Sequence, residues 1–388
     1  MLVLTFYQRV NSITYTLYKL YNKKFIQQTR GIIEITSAQQ MFWQIFNIQH
    51  KPIQNFVLER DSKVHLFDYD KIFHHKLIAE LHPDIVIHKI SVGGDEFNSI
   101  CRLNELILDK IADYNNLAPV LQPQEITLAH FGQQAFVTAK HYACFNNSFH
   151  NTIELPFNMF FHGESQRNNP LNYFASSGLI FAEIADKIPD LTEKKHGRGK
   201  WVAIYITDVH TTLCAIKNGK SQYCTSSEMW HEIIGFSQAE RIDPSIVINL
   251  LAHESTSAEQ IIKRISSYNL DNLSHNHYAT LTEMLASNTP ETLPLKNYFA
   301  RQISISISKL ATILGGLDGI IFSGNIGQNN AELRTLICNN LEWMGLNLSR
   351  KANLENQPKI HKKNSTIQAF VVHAEAENAM LKQLIERI

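Results

Sequence analysis

The sequence predicts an α/β protein of two domains, and three observations carry that prediction. Residues 317–345, LDGIIFSGNIGQNNAELRTLICNNLEWMG, read as a strand, a glycine-containing loop and a helix in immediate succession. Alternating apolar and polar residues at 3–7 and 12–18 form a hairpin, and the pattern returns at 201–207 and 212–216, which points to an internally duplicated fold. The chain has 388 residues, 44% of them hydrophobic, enough for two cores of ordinary domain size.

In chain order, the strands at 3–7 and 12–18 flank Gln8-Arg9-Val10-Asn11, and a third strand at 25–28 follows the turn Tyr21-Asn22-Lys23-Lys24. Residues 36–47 and 74–81 are expected to be helical, 84–90 a strand closed by Gly93-Gly94, and 97–114 a helix through the apolar spacing of Ile100, Leu103, Ile107 and Ile111. Leu117-Ala118-Pro119 stops that helix. A short strand at 143–145 ends at Asn146, and a helix spans 176–188. In the second half, Asn218-Gly219 supplies the two positive φ angles of a type I′ hairpin turn. Residues 294–314 form a long amphipathic helix with proline in its first turn, 367–372 a strand, and 375–388 the terminal helix.

Composition narrows the function. Lys+Arg and Asp+Glu are both 36, so there is no electrostatic case for nucleic acid or an anionic membrane, and a small molecule or a protein is the expected partner. Five cysteines, odd in number and without a CxxC pair, support neither a disulfide framework nor a zinc knuckle and fit buried thiols in a reducing compartment. The N-terminus alternates rather than presenting a signal-peptide core, and no apolar run approaches a membrane span, so a soluble, cytoplasmic protein is expected. His253-Glu254 lacks a second histidine four residues on, and His275-Asn276-His277 lacks further ligands, so neither reads as a metal site.

Within the opening stretch, Ser323-Gly324-Asn325-Ile326-Gly327 is expected to turn, Asn329 to cap a helix, and Glu332 to sit at its capping-box position. Leu333, Leu336, Ile337, Leu341 and Met344 line one face of that helix. Helix-start N–H groups attract anions or hydrogen-bond a ligand, although strand-loop-helix units of this kind also occur where nothing binds.

Over nearly its full length the chain resembles acetate kinases, members of the acetate and sugar kinase/Hsp70/actin superfamily. IVIHKISVGG at 85–94, LAPVLQP at 117–123, FNNSFHNT at 145–152, AIKNGKS at 215–221, ERIDP at 240–244 and FSGNIGQNN at 322–330 look like the family's HRVVHGG, LAPLHNP, FDTAFHQT, AIKNGKS, GDIDP and FTGGIGENS. The resemblance implies two RNase H-like (actin-like ATPase) domains with an ATP site in the interdomain cleft, and a homodimer formed largely through the second domain. It sets the first domain at 1–152 completed by 368–388, and the second, nucleotide-binding and dimerisation domain at 153–367. Gly324, Asn325, Gly327, Gln328 and Asn329 then match the adenosine side of the site, Asp208 and His210 the phosphate side, and Val120 and Phe174 the substrate pocket.

Phosphoryl transfer to a carboxylate needs Mg²⁺, cations on the transferring group and in-line positioning, because the nucleophile is already ionised. Those positions differ from the family's. Its first phosphate loop, N-x-G-S-S-S-x-K, is here Tyr7-Gln8-Arg9-Val10-Asn11-Ser12-Ile13-Thr14, and its second, H-L-G-N-G, is Ile206-Thr207-Asp208-Val209-His210. The carboxylate-clamping arginine matches Lys89, the histidine of LAPLHNP matches Leu121, the metal-linked aspartate matches Asn146 and the second catalytic arginine matches Gln238. The carboxylate that helps hold Mg²⁺ falls at Ala376 or Glu377. The transition-state histidine maps by spacing to Ala175, while His162 repeats the motif's letters upstream.

Two readings follow. In the leading one the chain is a degenerate homologue with weak or no acetyl phosphate-forming activity, which binds nucleotide and acts through contacts with an unidentified protein. In the other it is an active ATP- and Mg²⁺-dependent kinase for acetate or another carboxylate, with Arg9, Lys89, Asp208 and His210 forming a rewired site. Trp230-His231, near the family's substrate pocket, reads as an aromatic plug.

Overall fold

The computed structural model describes every residue except 38, 39, 50, 60–66, 155, 156, 158–173, 193–198, 228–230, 237–241, 254–259, 262, 263, 265–268 and 275–277, together with the side chains of Ser37 and His253. The chain forms two compact units, Met1–Ser148 with Glu375–Ile388, and Phe149–Ala374. The strand at 367–372 belongs to the second unit's sheet, so the return to the first unit begins at Glu375 rather than at 368.

The first unit's sheet holds β1 (Leu2–Gln8), β2 (Ser12–Tyr21), β3 (Lys24–Ser37), β4 (Gln40–Phe46), β5 (Pro52–Glu59), β6 (Ile85–Ile90), β7 (Cys101–Arg102) and β8 (Lys140–Phe145). Their order is β5-β4-β3-β2-β1-β6-β8-β7. The second sheet holds β9 (Lys200–Ile206), β10 (Thr211–Lys217), β11 (Lys220–Cys224), β12 (Gly319–Ser323) and β13 (Gln368–Val371), ordered β11-β10-β9-β12-β13. The predicted duplication is present. In each sheet an antiparallel three-strand meander, β3-β2-β1 or β11-β10-β9, continues into two parallel strands, β6-β8 or β12-β13.

Hydrophobic alternation explains most elements. On β4, Met41, Trp43 and Ile45 turn inward and are at most 4% exposed, joining Leu4, Phe6, Ile13, Tyr15 and Ile33 in the core. This corrects the expected helix at 36–47: apolar residues on both faces of a strand imitate a helical stripe, but the burial period is two. The expected helix at 97–114 is also shorter. Cys101–Arg102 pairs with β8, and the helix Glu105–Ala112 starts only after Asn104, whose Oδ1 accepts the Ile107 N–H at 2.9 Å. The 74–81 segment divides into the helices Tyr69–His74 and Lys76–Ala79. The Asn218-Gly219 turn has φ values of 53° and 76°, the two left-handed positions the sequence predicts.

In the second unit the helix Thr292–Leu314 lays Phe299, Ile303, Ile307 and Leu310 on a core shared with Val202, Ile204, Leu213 and Ile320. No helix of the described residues is long and apolar enough to cross a membrane, and the five cysteines are free thiols.

Candidate functional site

In parallel α/β sheets, functional loops gather at the carboxyl ends of the strands. Each unit has such an end, at β1, β6 and β8 in the first and at β9, β12 and β13 in the second.

In the first unit the loop after β6 meets the start of the helix Gln122–Ala135. Lys89 is 3% exposed and Glu125 1% exposed. The Lys89 ammonium donates to Glu125 Oε1 and, at 3.0 Å, to Ser91 Oγ. Three successive backbone N–H groups, of a kind that would otherwise cradle an anion, are bonded internally. Ser91 N–H donates to Glu125 Oε2 at 2.6 Å, Val92 N–H to Gln122 Oε1 at 2.8 Å and Gly93 N–H to Asn147 Oδ1 at 3.1 Å. Beside them Gln8 Nε2 donates to Tyr69 Oη at 2.9 Å and Gln124 Oε1 at 3.0 Å. The Tyr7 ring carries the Arg9 guanidinium 4.7 Å from its centroid and the Lys89 ammonium at 5.5 Å.

Asn146, at the end of β8, is 4% exposed and its Oδ1 accepts no hydrogen bond. Val120 is 60% exposed, and its carbonyl accepts from Gln124 Nε2 at the edge of this network. Glu377 lies on the helix Ala376–Arg387, where Arg30 holds it at 3.6 Å and Glu375 at 2.7 Å. Among the described residues no three His, Cys, Asp or Glu side chains are grouped to hold a metal ion.

In the second unit the loop between β9 and β10 is a tight turn in which Thr207 Oγ1 accepts the N–H groups of Val209 at 3.2 Å and His210 at 3.0 Å. The Asp208 carboxylate accepts three bonds: Thr282 N–H and Oγ1–H at 2.9 Å each on Oδ1, and Asn325 Nδ2–H at 2.6 Å on Oδ2. The expected turn at 323–327 is instead the start of a short helix, Gly324–Asn329. Gly324 has φ +82°, and a Cβ there would stand 2.3 Å from the Ile206 carbonyl oxygen, so this position requires glycine. Gly327 is helical, and a Cβ there would make only ordinary contacts beginning at 3.7 Å.

The cap of the next helix, Ala331–Asn339, is Asn330 rather than Asn329: its Oδ1 accepts the Leu333 N–H at 2.8 Å, while Asn329 Nδ2 bonds back to the Asn325 carbonyl at 2.9 Å. Gln328 Oε1 lies 3.2 Å from His373 Nδ1. Ser323 Oγ is buried without a hydrogen-bond partner. Phe174 is half-buried, next to Ala175, which bridges to Ser227. His162, Gln238 and Trp230 lie outside the described residues.

Sequence reasoning missed Glu125, Arg334 and His150. Arg334 is 1% exposed and ties the end of the helix Gly324–Asn329 to residues 353–356, donating to the carbonyls of Gly327 at 2.8 Å and Gln328 at 2.7 Å and to Asn353 Oδ1 at 2.7 Å. Burial draws its pKa down to about 10, which leaves it a cation at neutral pH. His150 Nε2–H donates to the Ser176 carbonyl at 3.0 Å, so Nδ1 is the acceptor facing Ser221 Oγ at 2.8 Å, and burial pushes its pKa down to about 4. None of the three has a local signature, since each partner set is assembled by the fold.

Comparison with known proteins agrees with this architecture. The Acetokinase family model matches residues 2–382. An acetate kinase of Rickettsia akari is 28% identical over 313 residues, 77% of each chain. A propionate kinase of Citrobacter koseri is 27% identical over 336 residues, covering 82% of this chain and 80% of that one. Among solved structures, an acetate kinase of Entamoeba histolytica superposes with a TM-score of 0.82 at 18% identity, covering 100% of this chain and 99% of the other. A propionate kinase of Francisella tularensis gives 0.85 at 17% identity over 98% of both chains. The fold is the two-sheet α/β fold seen in these acetate and propionate kinase structures. With a family model matched from residue 2 to residue 382, the chain belongs to the acetokinase family.

Proposed function

We propose that this chain keeps the acetokinase architecture without running the family's reaction, carboxylate and ATP to acyl phosphate and ADP, at the family's rates, and that it works through weak nucleotide binding and protein contacts. The observation that carries the reading is the Lys89–Glu125 pair. The cation at the position that matches the carboxylate clamp is buried, and its charge is neutralised inside the unit. A clamp in that state offers an incoming acetate or propionate no net charge, and the amides beside it are already bonded.

The loop that matches the family's phosphate loop supports the same reading. Asp208 sets a carboxylate, fixed by three donors, where a polyphosphate would approach. These residues do not fit a triphosphate. Free thiols and the lack of a membrane-spanning helix among the described residues fit a cytoplasmic location.

A second reading, an active carboxylate kinase with a rewired site, is favoured by Asn146, whose buried Oδ1 has no hydrogen-bond partner and would be satisfied by a bound water or cation. One experiment separates the two. Acyl phosphate formation from acetate and propionate is trapped as hydroxamate with ATP·Mg²⁺, and nucleotide binding is followed by calorimetry. The first reading expects turnover lower than an ordinary kinase by on the order of 10³ or more, the scale of one lost transition-state cation. Turnover of about 1–100 s⁻¹, the usual kinase range, abolished by Lys89→Ala, overturns it.

A further inference from the structure

Five cysteines are scattered along the sequence, and the fold sets two of them face to face. On the antiparallel strands β10 and β11, Cys214 is directly opposite Cys224, ahead of the register shift that follows Ala215. Next to them Thr225 N–H donates to the Leu213 carbonyl at 3.0 Å. Hydrogen-bonded and non-hydrogen-bonded pairs alternate along such a ladder, so Cys214 and Cys224 occupy a non-hydrogen-bonded pair, where facing Cα atoms stand about 4.5 Å apart. Disulfides accept Cα separations of about 4.4–6.8 Å. Cys101, by contrast, faces Ala143.

Both cysteines are 0% exposed and sit in a bonded cluster. Cys214 Sγ lies 3.4 Å from Ser221 Oγ. Because the Ser221 hydroxyl donates to His150 Nδ1 at 2.8 Å, its oxygen accepts from the Cys214 S–H. Cys224 S–H donates to the carbonyls of Ser176 at 3.8 Å and Ser226 at 3.6 Å. Each of these acceptors keeps another partner when the S–H groups are gone. Ser221 stays bonded to His150, the Ser176 carbonyl still accepts His150 Nε2–H at 3.0 Å, and the Ser226 carbonyl still accepts Ser176 N–H at 3.0 Å. A bond between the two sulfurs therefore orphans none of the oxygens around it.

We propose that Cys214 and Cys224 form a reversible disulfide, which staples β11 to β10 when the chain meets a low-molecular-weight disulfide as oxidant. Burial pushes the Cys224 thiol up to about 12 and the Cys214 thiol well up, so in the closed hairpin both are protonated and unreactive. β11 is the outermost strand of its sheet, five residues long with Gln222 and Tyr223 half-buried, and its opening admits the oxidant. Cys224, on the strand that opens, attacks first. One sulfur of the small disulfide bonds to Cys224, and the other leaves as a thiol with the Cys224 proton. As the strand recloses, Cys214 attacks the Cys224 sulfur, and the second small thiol leaves with the Cys214 proton. The cysteine pair gives up two electrons, and one small disulfide becomes two thiols. The inference stands whether or not the chain is a kinase.

The test treats the reduced full chain with oxidised glutathione, then alkylates it and maps its tryptic peptides by mass. Trypsin cuts after Lys217 and Lys220, so the proposed bond joins two otherwise separate peptides, 201–217 and 221–241. The expected result is those peptides cross-linked with two hydrogens lost, and Cys144 and Cys338 still alkylated. Cys214→Ser is expected to stop at a mixed disulfide on Cys224. Amide exchange at Thr225, beside the staple, is expected to slow at least about tenfold on oxidation and to recover with dithiothreitol. Cys214 and Cys224 both alkylated at every oxidant concentration that leaves the chain folded overturns the proposal. So does a cross-link from either to a different cysteine, or a disulfide that leaves exchange at Thr225 unchanged.

Discussion

Replacing Glu125 with alanine removes the carboxylate that bonds the Lys89 ammonium and the Ser91 N–H, in a place where the two charged side chains are 2% and 0% exposed. The lysine cannot reach water without displacing its surroundings, so the substitution leaves an uncompensated buried cation, which typically costs about 3–5 kcal/mol. The orphaned Ser91 donor adds to the same loss, and we expect at least about 3 kcal/mol overall. Lys89→Met should cost somewhat less, because Glu125 keeps its bond from Ser91 N–H at 2.6 Å. The double variant Lys89→Met/Glu125→Gln removes both charges while the amide oxygen still accepts from Ser91. It should return to within about 1 kcal/mol of wild type, as neutral replacements of buried pairs commonly do. Urea unfolding followed by circular dichroism measures all four proteins, and Glu125→Gln alone completes the cycle. With a slope of about 1–3 kcal/mol/M, Glu125→Ala should lower the first unit's midpoint by about 1 M or more. A shift below about 0.3 M on the same slope, or a double variant as unstable as the sum of the singles, would refute the reasoning.

The remaining predictions concern the second unit. His150 is neutral in the fold with a pKa near 4, against 6.5 unfolded, so the unfolded chain binds more protons between those values. Stability is complete above about pH 6.5 and lost as pH falls toward 4, reaching about 2 kcal/mol at pH 5. His150→Gln should flatten the dependence of urea midpoint on pH by that amount, and an unchanged slope would count against it. Gly324→Ala meets a carbonyl at 2.3 Å on a backbone of φ +82°, and should lower stability by at least about 2 kcal/mol in thermal melts. Asp208→Gly should tighten ADP binding by about fivefold or more in calorimetry, the effect of removing about 1 kcal/mol of charge repulsion; equal or weaker binding would detach this loop from phosphate.

The duplicated plan was legible because alternation and Asn218-Gly219 are local signals, and the sheets bear them out. The strand β4 was not, because Phe42 and Phe46 on its outer face fill the gaps in the inner row of Met41, Trp43 and Ile45. Helix caps were legible to within one residue, since Asn329 and Asn330 are chemically equal and only backbone geometry chooses between them. The Lys89–Glu125 pair spans 36 positions, and the Asp208–Asn325 bond 117. Contacts at such separations leave no periodic trace. Motif resemblance located Lys89, Asp208 and Asn325 singly; only the fold supplied Glu125 and joined Asp208 to Asn325.

The first unit contains two strands, β4 and β5, that the second unit's sheet has no counterpart for beyond β11. Four strand spacings separate β5 from β1, about 19 Å at the usual spacing of neighbouring strands. Substitutions that far apart, with no shared partner, act additively. The appended pair can therefore vary in sequence without disturbing the strand ends where Lys89 and Glu125 meet. It gives selection, or an engineer, a surface that can change separately from the chemistry.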